Sequence, residues 1–257
     1  MASFKRRKCR RGKPCGKSCI AKDLYCRDYA TRKYEDPKLP LRAGILRRRA
    51  DHLSHTVRTA DWRHPVRLAD LSGAERDIAE AVTLWSNGNV SALRDPRKFK
   101  KKDAKADIRG RMGNVTPTGR AYRRARRVMT DLSLAPNRVE KPVTRGLAMN
   151  AAVVDKIKPG DVFDMGAINS FSFDGHLSLG YAVREAGKKG GHVRVVMSID
   201  PDNVKRGTDI TNISQWAVEE EFVTGGMARV VSKRLDTSDK RLEGGVWRIE
   251  LEQLPHG

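Results

Sequence analysis

A run of three carboxylates, Glu219, Glu220 and Glu221, is the first stretch of this sequence whose residue types could carry out chemistry. Adjacent carboxylates repel one another, and a chain with a formal net charge of +21 does not need them for solubility. Successive side chains of a β-strand point to opposite faces, so a strand here would turn Glu219 and Glu221 to one face and Glu220 to the other. We therefore predict that Glu219 and Glu221 face a common site.

The chemistry that such a site could perform is cleavage of a glycosidic bond in a dinucleotide. The bond breaks through a state in which the ribose gains positive charge, and a carboxylate such as Glu221 stabilises that charge. Arg145 suits a pyrophosphate because a guanidinium fork matches phosphate oxygens. The Ser170 hydroxyl could orient the carboxylate, and Glu219 could orient or deprotonate a nucleophile. The same residue types also occur in an ordinary β-domain with an acidic strand end.

The segments that would position these residues have the pattern of short strands. From residue 142 onward, apolar or alternating runs are separated by turns that contain Gly and Pro. We predict strands over 143–147, 162–165, 170–173, 192–199, 216–223, 228–234 and 246–251, and a short helix or loop over 175–182. Such a series predicts an α+β fold, in which a twisted β core has helices packed on one side.

Two segments upstream of these strands have the periodicity of helices. Ser72 and Glu75 form a capping box, which predicts the start of the first helix. The second helix is predicted over 118–132, with its arginines on the polar side, after a turn-rich surface loop over 110–117. The apolar residues of the first helix, which we interpret as core rather than as functional, are Ile78, Ala81, Val82 and Trp85.

Positive charge is concentrated in the first half of the chain. Residues 138–257 contain 17 basic and 17 acidic side chains, so residues 1–137, with 35 basic and 14 acidic ones, carry the whole net charge. In the densest block, 94–127, 14 basic residues stand against three acidic ones. This excess favours a polyanionic partner, DNA, RNA or an acidic protein surface, bound mainly through counterion release. Charge runs are also common on solvated surfaces, and few aromatic residues are available here to stack on bases.

All four cysteines lie close together in the basic N-terminal segment, at Cys9, Cys15, Cys19 and Cys26. Four thiolates can bind a tetrahedral Zn²⁺, although the usual Cys-x2-Cys spacing is absent. In an oxidising setting the same residues could form two disulfides, and they could also be free thiols in a flexible tail. The sequence leaves these three interpretations open.

The order of Arg145, Ser170-x-Ser172 and Glu219-x-Glu221 resembles the Arg-Ser-Glu class of mono-ADP-ribosyltransferases, the relatives of the clostridial and cholera-group toxin domains. The segments around these residues resemble the three motifs of that family, and the likeness spans about residues 65–254. It implies a twisted two-sheet β core with a helical lobe. The expected organisation is a basic, Cys-containing extension over 1–60 and a transferase-like domain over 61–257, divided into a helical lobe (61–137) and a β core (138–257).

The resemblance implies a role for each candidate catalytic residue. Arg145 would contact the phosphates of NAD, and Ser170 would hold the catalytic Glu221. Glu221 would stabilise the oxocarbenium ion, while Glu219 would serve the acceptor. Phe171 stands where the family usually has the Thr of Ser-Thr-Ser. Either Phe171 or Phe173 could stack on nicotinamide or pack in the core. The residues expected to bind NAD are Arg145, Gly146, Ser170, Phe171, Ser172 and Phe173.

The function that the resemblance implies is transfer of ADP-ribose from NAD, and a Glu at position 219 goes with arginine as the target in that family. The expected acceptor is a host protein. With its basic, Cys-bearing N-terminus, the chain is predicted to be a phage protein that acts in the virion or in the host cytoplasm. No membrane partner is expected, since no run of 18 apolar residues occurs and no apolar stretch follows the basic N-terminus. The alternatives are a virion structural or nucleic-acid-binding protein with an inert transferase-like domain, and an enzyme that hydrolyses NAD without a protein acceptor.

Overall fold

The computed structural model describes most of the chain from residue 39 onward and two short strands before it. The described residues are 13–15, 18–20, 39–61, 63–71, 73–88, 90, 93, 106–188 and 190–255. Strands β1 (Lys13–Cys15) and β2 (Ser18–Ile20) pair antiparallel. Cys9 and Cys26 lie outside the described residues, so bonding by the four cysteines to zinc or to each other stays a prediction. Among the side chains that are described, no group of three or more His, Cys, Asp or Glu could hold a metal ion.

Within the described residues, the longer helices of the helical lobe are α1 (Leu39–Thr59), α2 (Gly73–Asn87) and α3 (Gly119–Ser133). Helix α3 begins within one residue of its predicted start, after the N-cap Thr118, whose Oγ1 accepts a hydrogen bond from the Ala121 amide at 3.0 Å. Ser72 is not among the described residues, so the capping box of α2 stays a prediction. The apolar side chains of α2 are buried as predicted: Ile78, Ala81, Val82 and Trp85.

Helix α1 packs into the same core as α2 and α3, although the sequence places it in the N-terminal extension. Ala50 and Leu53 are buried in the cluster formed by the apolar faces of the other two helices. Arg42 Nε also donates a hydrogen bond to Asp131 Oδ2 of α3 at 2.7 Å. Residues 39–59 therefore pack with the helical lobe, although the predicted boundary at residue 60 placed them in the extension. Their helical period is hard to see in the sequence because many arginines lie between the small apolar residues.

A β-hairpin precedes α3 in part of the segment where the sequence predicted a surface loop. Strands β3 (Ile108–Gly110) and β4 (Gly113–Val115) pair antiparallel across a two-residue turn. Gly110 packs directly on α2, since a Cβ at this position would lie 2.3 Å from Thr83 Oγ1. Three-residue strands are too short to show an alternating pattern, so only the turn residues stand out in the sequence.

The β core is an eight-stranded sheet with two further helices, α4 (Ala151–Lys156) and α5 (Gly175–Ala186). Its strands are β5 (Val143–Asn150), β6 (Val162–Asp164), β7 (Asn169–Ser172), β8 (His192–Ile199), β9 (Thr208–Asp209), β10 (Glu221–Thr224), β11 (Met227–Asp236) and β12 (Val246–Gln253). Their order is β6-β11-β12-β8-β5-β7-β10-β9. Strands β12 and β8 run parallel, and the other neighbouring pairs are antiparallel. The predicted α+β fold is confirmed.

The junction between β5 and β7 is the part of the sheet that places the candidate residues together. A single register pair, Thr144 with Ser172, joins these two strands. The two sheets that the resemblance implied are therefore the two halves of one eight-stranded sheet, which are joined at this pair. Strand β10 pairs with β7 on the other side. Arg145 on β5, Ser170 on β7 and Glu221 on β10 therefore lie on three consecutive strands. Among the described helices, none combines the length and the apolar character that a membrane-spanning segment requires.

Candidate active site

Glu221 is the first residue of β10, and its carboxylate is buried at 5% exposure. Its Oε1 accepts two short hydrogen bonds, from Ser170 Oγ at 2.7 Å and from Trp85 Nε1 at 2.6 Å. Its Oε2 accepts a longer one from Ser214 Oγ at 3.4 Å. The predicted contact between Ser170 and Glu221 is thus present, while the donors from Trp85 and Ser214 were missed.

The electrostatic environment of Glu221 is unusual for a carboxylate, since neutral donors satisfy it. Burial raises the pKa of Glu221 above its ordinary value, because the charged form loses its hydration. The hydrogen bonds from Ser170 and Trp85 lower the pKa, and the negative charge of Glu219 raises it again. Three neutral donors therefore offset part of the cost of keeping this buried carboxylate charged.

Glu219 and Glu221 do not share a strand, which corrects the register predicted from the sequence. Residues Ala217–Glu219 form a 3₁₀ turn, and Glu220 has a left-handed backbone with φ of 44° before β10 begins. All four side chains of β10 are buried, so a strand extended backwards through the acidic run would bury further carboxylates at high cost. The chain turns instead, which leaves Glu220 exposed and Glu219 half-buried.

Glu219 is held by a tyrosine that the sequence did not single out. Tyr181 Oη, on α5, donates a hydrogen bond to Glu219 Oε1 at 2.8 Å. Burial, followed by this bond to an anion, raises the pKa of Tyr181, so the phenol stays protonated as the donor. The guanidinium of Arg184 lies over the Tyr181 ring, 4.5 Å from its centroid. Tyr181 lay within the segment predicted as a short helix or loop, where nothing in the pattern linked it to an acid 38 residues away.

Arg145 and Gly146 lie at the centre of β5, where α5 crosses the strand. Arg145 Nη1 donates a hydrogen bond to Asn169 Oδ1, and Asn169 Nδ2 donates in turn to the Met165 carbonyl. At position 146 a Cβ would lie only 1.7 Å from the Ser178 carbonyl oxygen, so α5 can approach the strand this closely only over a glycine. Gly146, predicted as a contact to NAD, thus also has a packing role.

Ser172 and the two phenylalanines have roles in local structure. Ser172 Oγ donates a hydrogen bond to the Glu219 carbonyl at 2.6 Å and accepts one from the Asp174 amide at 2.9 Å, so it fixes the turn that carries Glu219. Phe171 is 3% exposed and belongs to the core of the sheet. Phe173 makes an edge-to-face contact with Phe222, with ring centroids 5.5 Å apart. Both aromatic side chains pack as core residues, and stacking on nicotinamide stays a prediction.

A cavity of about 280 Å³ opens between β5, β7 and α5. Most of the predicted site residues line it, whereas Glu221 and Phe173 do not; Glu221 is linked to the cavity through its hydrogen bond to Ser170. The lining residues are Thr144, Arg145, Gly146, Ser170, Phe171, Ser172, Leu177, Ser178, Tyr181 and Glu219. The cavity thus combines one guanidinium, one carboxylate and several hydroxyls, a set that can hold a polar, anionic ligand.

The end of α2 contributes a second group of residues that sequence reasoning missed. Besides the bond from Trp85 to Glu221, the hydroxyls of Ser86 and Ser214 lie 3.0 Å apart, and Trp216 Nε1 donates to Asn87 Oδ1 at 3.0 Å. Three consecutive residues of the helical lobe therefore contact either the loop that leads into β10 or Glu221, the first residue of that strand. The available signal was the stretch Trp85-Ser86-Asn87-Gly88, whose resemblance to the helical lobe of the family indicates its place in the fold but not its contacts with Glu221 and the loop.

Solved structures of ADP-ribosyltransferases share this fold. The chain superposes on the crystal structure of the ADP-ribosyltransferase Vis in complex with the M6 inhibitor, with a TM-score of 0.51 and 16% identity over 82% of this chain and 85% of Vis. With Vis in complex with agmatine, the TM-score is 0.50 and the identity 15%, over the same shares of the two chains. Vis is a toxin from Vibrio splendidus. No model of a known protein family and no curated protein matches the sequence.

The protein therefore has the ADP-ribosyltransferase fold, as the order of its motifs predicted. At this level of identity, the similarity extends to the arrangement of the sheet and the helices. The activity has to be argued from the residues of the site, which the fold brings together from β5, β7, β10, α5 and the end of α2.

Proposed function

We propose that this protein is an NAD-dependent ADP-ribosyltransferase. The observation that carries the proposal is the buried Glu221 carboxylate, which accepts a hydrogen bond at 2.7 Å from Ser170, a residue that lines the same cavity as Arg145 and Glu219. A carboxylate, an orienting hydroxyl, a guanidinium and a second carboxylate are the groups that cleavage and transfer at a nucleotide glycosidic bond require. The shared fold with Vis supports the assignment.

The site residues divide the proposed reaction between them. Arg145 would bind a phosphate of NAD, for which its guanidinium is suited. When the bond from ribose to nicotinamide breaks, its electron pair leaves with nicotinamide, and the ionised Glu221 would stabilise the positive charge left on the ribose. Ser170 would keep the carboxylate oriented for that task. The cavity of about 280 Å³ is small for a whole dinucleotide, so it would take one half of NAD, with the other half outside.

Arginine of a host protein is the proposed acceptor. Glu219 lines the cavity and is half-buried, and a carboxylate is the natural partner for the guanidinium of an incoming arginine. Agmatine, the ligand in one of the similar Vis structures, carries the same guanidinium group. We therefore expect agmatine to accept ADP-ribose from this enzyme and cadaverine, a diamine without a guanidinium, not to do so.

The experiment that tests the proposed function uses labelled NAD with host lysate and with agmatine. We expect the wild-type protein to release nicotinamide and to label an acceptor, and Glu221→Ala to do neither. Glu220→Ala is the matched control, because it removes an exposed carboxylate one residue away. Equal labelling by wild type and Glu221→Ala would refute the assignment. Nicotinamide release without any labelled product would favour hydrolysis of NAD, and mass spectrometry of the labelled lysate would identify the acceptor.

A second candidate activity is binding of DNA or RNA by the helical lobe, which a specific surface favours. A cavity of about 540 Å³ between the hairpin and the N-terminal part of α2 is lined by four arginines, Arg67, Arg76, Arg109 and Arg111. Arg76 pairs with Glu80, but within the described parts of the chain no acidic side chain pairs with the other three. Arginines that surround one concavity and have no acidic partner among the described side chains favour a phosphate-rich ligand.

The nucleic-acid proposal is tested by fluorescence anisotropy on a DNA and an RNA duplex at several salt concentrations. We expect the double variant Arg109→Ala, Arg111→Ala to weaken binding and to reduce the slope of log Kd against log salt by about 1 to 2. Arg234→Ala, an exposed arginine of β11, is the control and should change neither. Nucleic-acid binding together with no turnover of NAD would favour the alternative of an inert transferase-like domain.

The site of action is proposed from the sequence alone. The basic N-terminal half favours packaging with nucleic acid, so we propose that the protein is carried in a phage virion and acts in the host cytoplasm. Mass spectrometry of purified particles would detect the protein if it is packaged. Its absence from particles, with activity in infected cells, would leave the cytoplasm as the place of action.

A further inference from the structure

Trp85 is a buried core residue whose indole N–H has the candidate catalytic carboxylate as its acceptor. It lies in the last turn of α2 at 5% exposure, and its indole N–H donates to Glu221 Oε1 at 2.6 Å, across 136 residues of chain. The same oxygen accepts the hydrogen bond from Ser170 at 2.7 Å. Glu221 Oε1 is therefore held from two sides, by β7 of the sheet and by α2 of the helical lobe.

The two residues after Trp85 fix the same loop. The hydroxyl of Ser86 lies 3.0 Å from that of Ser214, and Ser214 Oγ donates to the other oxygen of Glu221 at 3.4 Å. Asn87 Oδ1 accepts a bond from Trp216 at 3.0 Å, while its Nδ2 donates to the Arg109 carbonyl at 2.9 Å. Ser86 and Asn87 thus contact the loop before β10, and Trp85 contacts the first residue of β10 itself, which limits rotation of Trp85 relative to the carboxylate.

An indole is suited to this position because its N–H can only donate. A serine hydroxyl can rotate and can donate or accept, whereas the ring of Trp85 is locked by the core of the helical lobe and aims one donor in one direction. The groups that contact the Glu221 carboxylate from α2, from β7 and from the preceding loop are neutral. The negative charge of Glu219 raises the pKa of Glu221 and so opposes its ionisation.

We propose that Trp85 is a positioning residue, whose indole N–H fixes the Glu221 carboxylate in its catalytic orientation from the helical lobe. The inference rests on the proposed function for its effect on turnover. Its consequence is that catalysis depends on the seating of the helical lobe against the sheet, because a lobe that moves away removes one of the two short hydrogen bonds to Oε1.

The test is Trp85→Phe, which retains an aromatic ring and removes the N–H. We expect kcat for nicotinamide release to fall about tenfold or more, with KM for NAD changed less than about twofold, because hydrogen bonds to charged groups are among the stronger ones. The acidic limb of the pH–rate profile should move to higher pH, since one group that favours the ionised carboxylate is lost. Unchanged kcat and an unchanged profile would overturn the inference.

Two further variants separate positioning from simple packing. Leu84→Val trims the neighbouring core residue, which is fully buried, and should lower the melting temperature without moving the pH profile. Genetic incorporation of β-(3-benzothienyl)alanine at position 85 retains the bicyclic shape and replaces the N–H with sulfur. If Trp85→Phe fails to fold, kcat and the pH–rate profile are measured on this second variant, with the same changes expected. A pH profile that moves equally in Leu84→Val would mean that Trp85 acts only through stability.

A readout that does not require turnover distinguishes this inference from the proposed function. Carbon-13 NMR of labelled glutamate carboxyls can follow the titration of Glu221, assigned by the signal that disappears in Glu221→Gln. We expect the pKa of Glu221 to be higher in Trp85→Phe than in wild type. An equal pKa in both would refute the role of Trp85 even if the enzyme is active. A wild type that releases no nicotinamide would refute the proposed function, and the titration would still decide whether Trp85 holds the carboxylate.

Discussion

The two carboxylates at the site lie two residues apart, yet they are held by different regions of the molecule. Glu221 lies where α2, β7 and β10 meet, and neutral donors from Trp85 and Ser170 satisfy it. Glu219 lies in the preceding turn, where Tyr181 of α5 is its partner. One acid is buried and the other half-exposed. The contrast suggests a division of labour, in which the buried acid serves bond cleavage and the accessible one serves the acceptor.

The largest expected effect comes from Glu221, because both steps of the proposed reaction depend on it. We expect Glu221→Gln to lower nicotinamide release and acceptor labelling together by about 10³-fold, since the variant cannot supply the negative charge. The two rates are measured in one assay with NAD labelled in both halves. A variant that lost labelling but still released nicotinamide would contradict the division proposed here.

Glu219→Gln should separate the two steps. We expect labelling of agmatine to fall about 10²-fold, because the acceptor loses its carboxylate partner, while nicotinamide release stays within a few-fold of wild type. Glu220→Gln is the matched control and should change neither rate, because that side chain is exposed and its left-handed backbone separates it from β10. If Glu220 proved more sensitive than Glu219, the turn described for this segment would be wrong.

Tyr181→Phe should also lower acceptor labelling without lowering nicotinamide release, but by less than Glu219→Gln. The substitution removes the hydroxyl that donates to Glu219 Oε1 at 2.8 Å and keeps the ring under Arg184. We expect transfer to agmatine to fall about three- to tenfold, as for loss of one hydrogen bond to a charged group, with nicotinamide release unchanged. An equal loss of both rates would mean that Tyr181 serves bond cleavage, as Glu221 does, rather than the acceptor step. Thermal melting is the control for a general loss of structure.

The smallest expected effect is on stability and its dependence on pH. Burial raises the pKa of Glu221 above the ordinary value of 4.5, so between that value and the folded-state pKa the folded protein binds more protons than the unfolded chain. Its contribution to stability is then fully present below pH 4.5 and is lost as the pH rises through the folded-state pKa. Glu221→Gln removes this dependence. We expect the melting temperature of the variant relative to wild type to increase as the pH rises from 4 to 8, and a constant difference would contradict the raised pKa.

The sequence predicted the parts of the site that lie on strands. Strand β8 has the predicted bounds, and α3 begins and ends within one residue of them. The contact between Ser170 and Glu221 was predicted through the family resemblance. These predictions succeeded because alternation and motif order depend on local sequence, which the sheet then brings into register.

The parts that failed depend on contacts between distant segments or on single backbone angles. The left-handed conformation of Glu220 replaced the expected continuous strand, and no local pattern of three glutamates indicates it. Trp85 was interpreted as core, which is correct for its ring, but the acceptor of its N–H lies 136 residues away. Helix α1 was assigned to an extension, because only the packing against α2 and α3 gives its few apolar residues a common face.

Gly146 has a consequence for how this site would be mapped by saturation mutagenesis. Any side chain there would collide with the Ser178 carbonyl, 1.7 Å from the Cβ position, so substitution would displace α5 and with it Tyr181. In an activity screen the position would score as essential, alongside Glu221. An abundance measurement on the same library would separate loss of chemistry from loss of folding. Glu221 variants would accumulate as folded protein without activity, whereas Gly146 variants would be depleted from the soluble fraction.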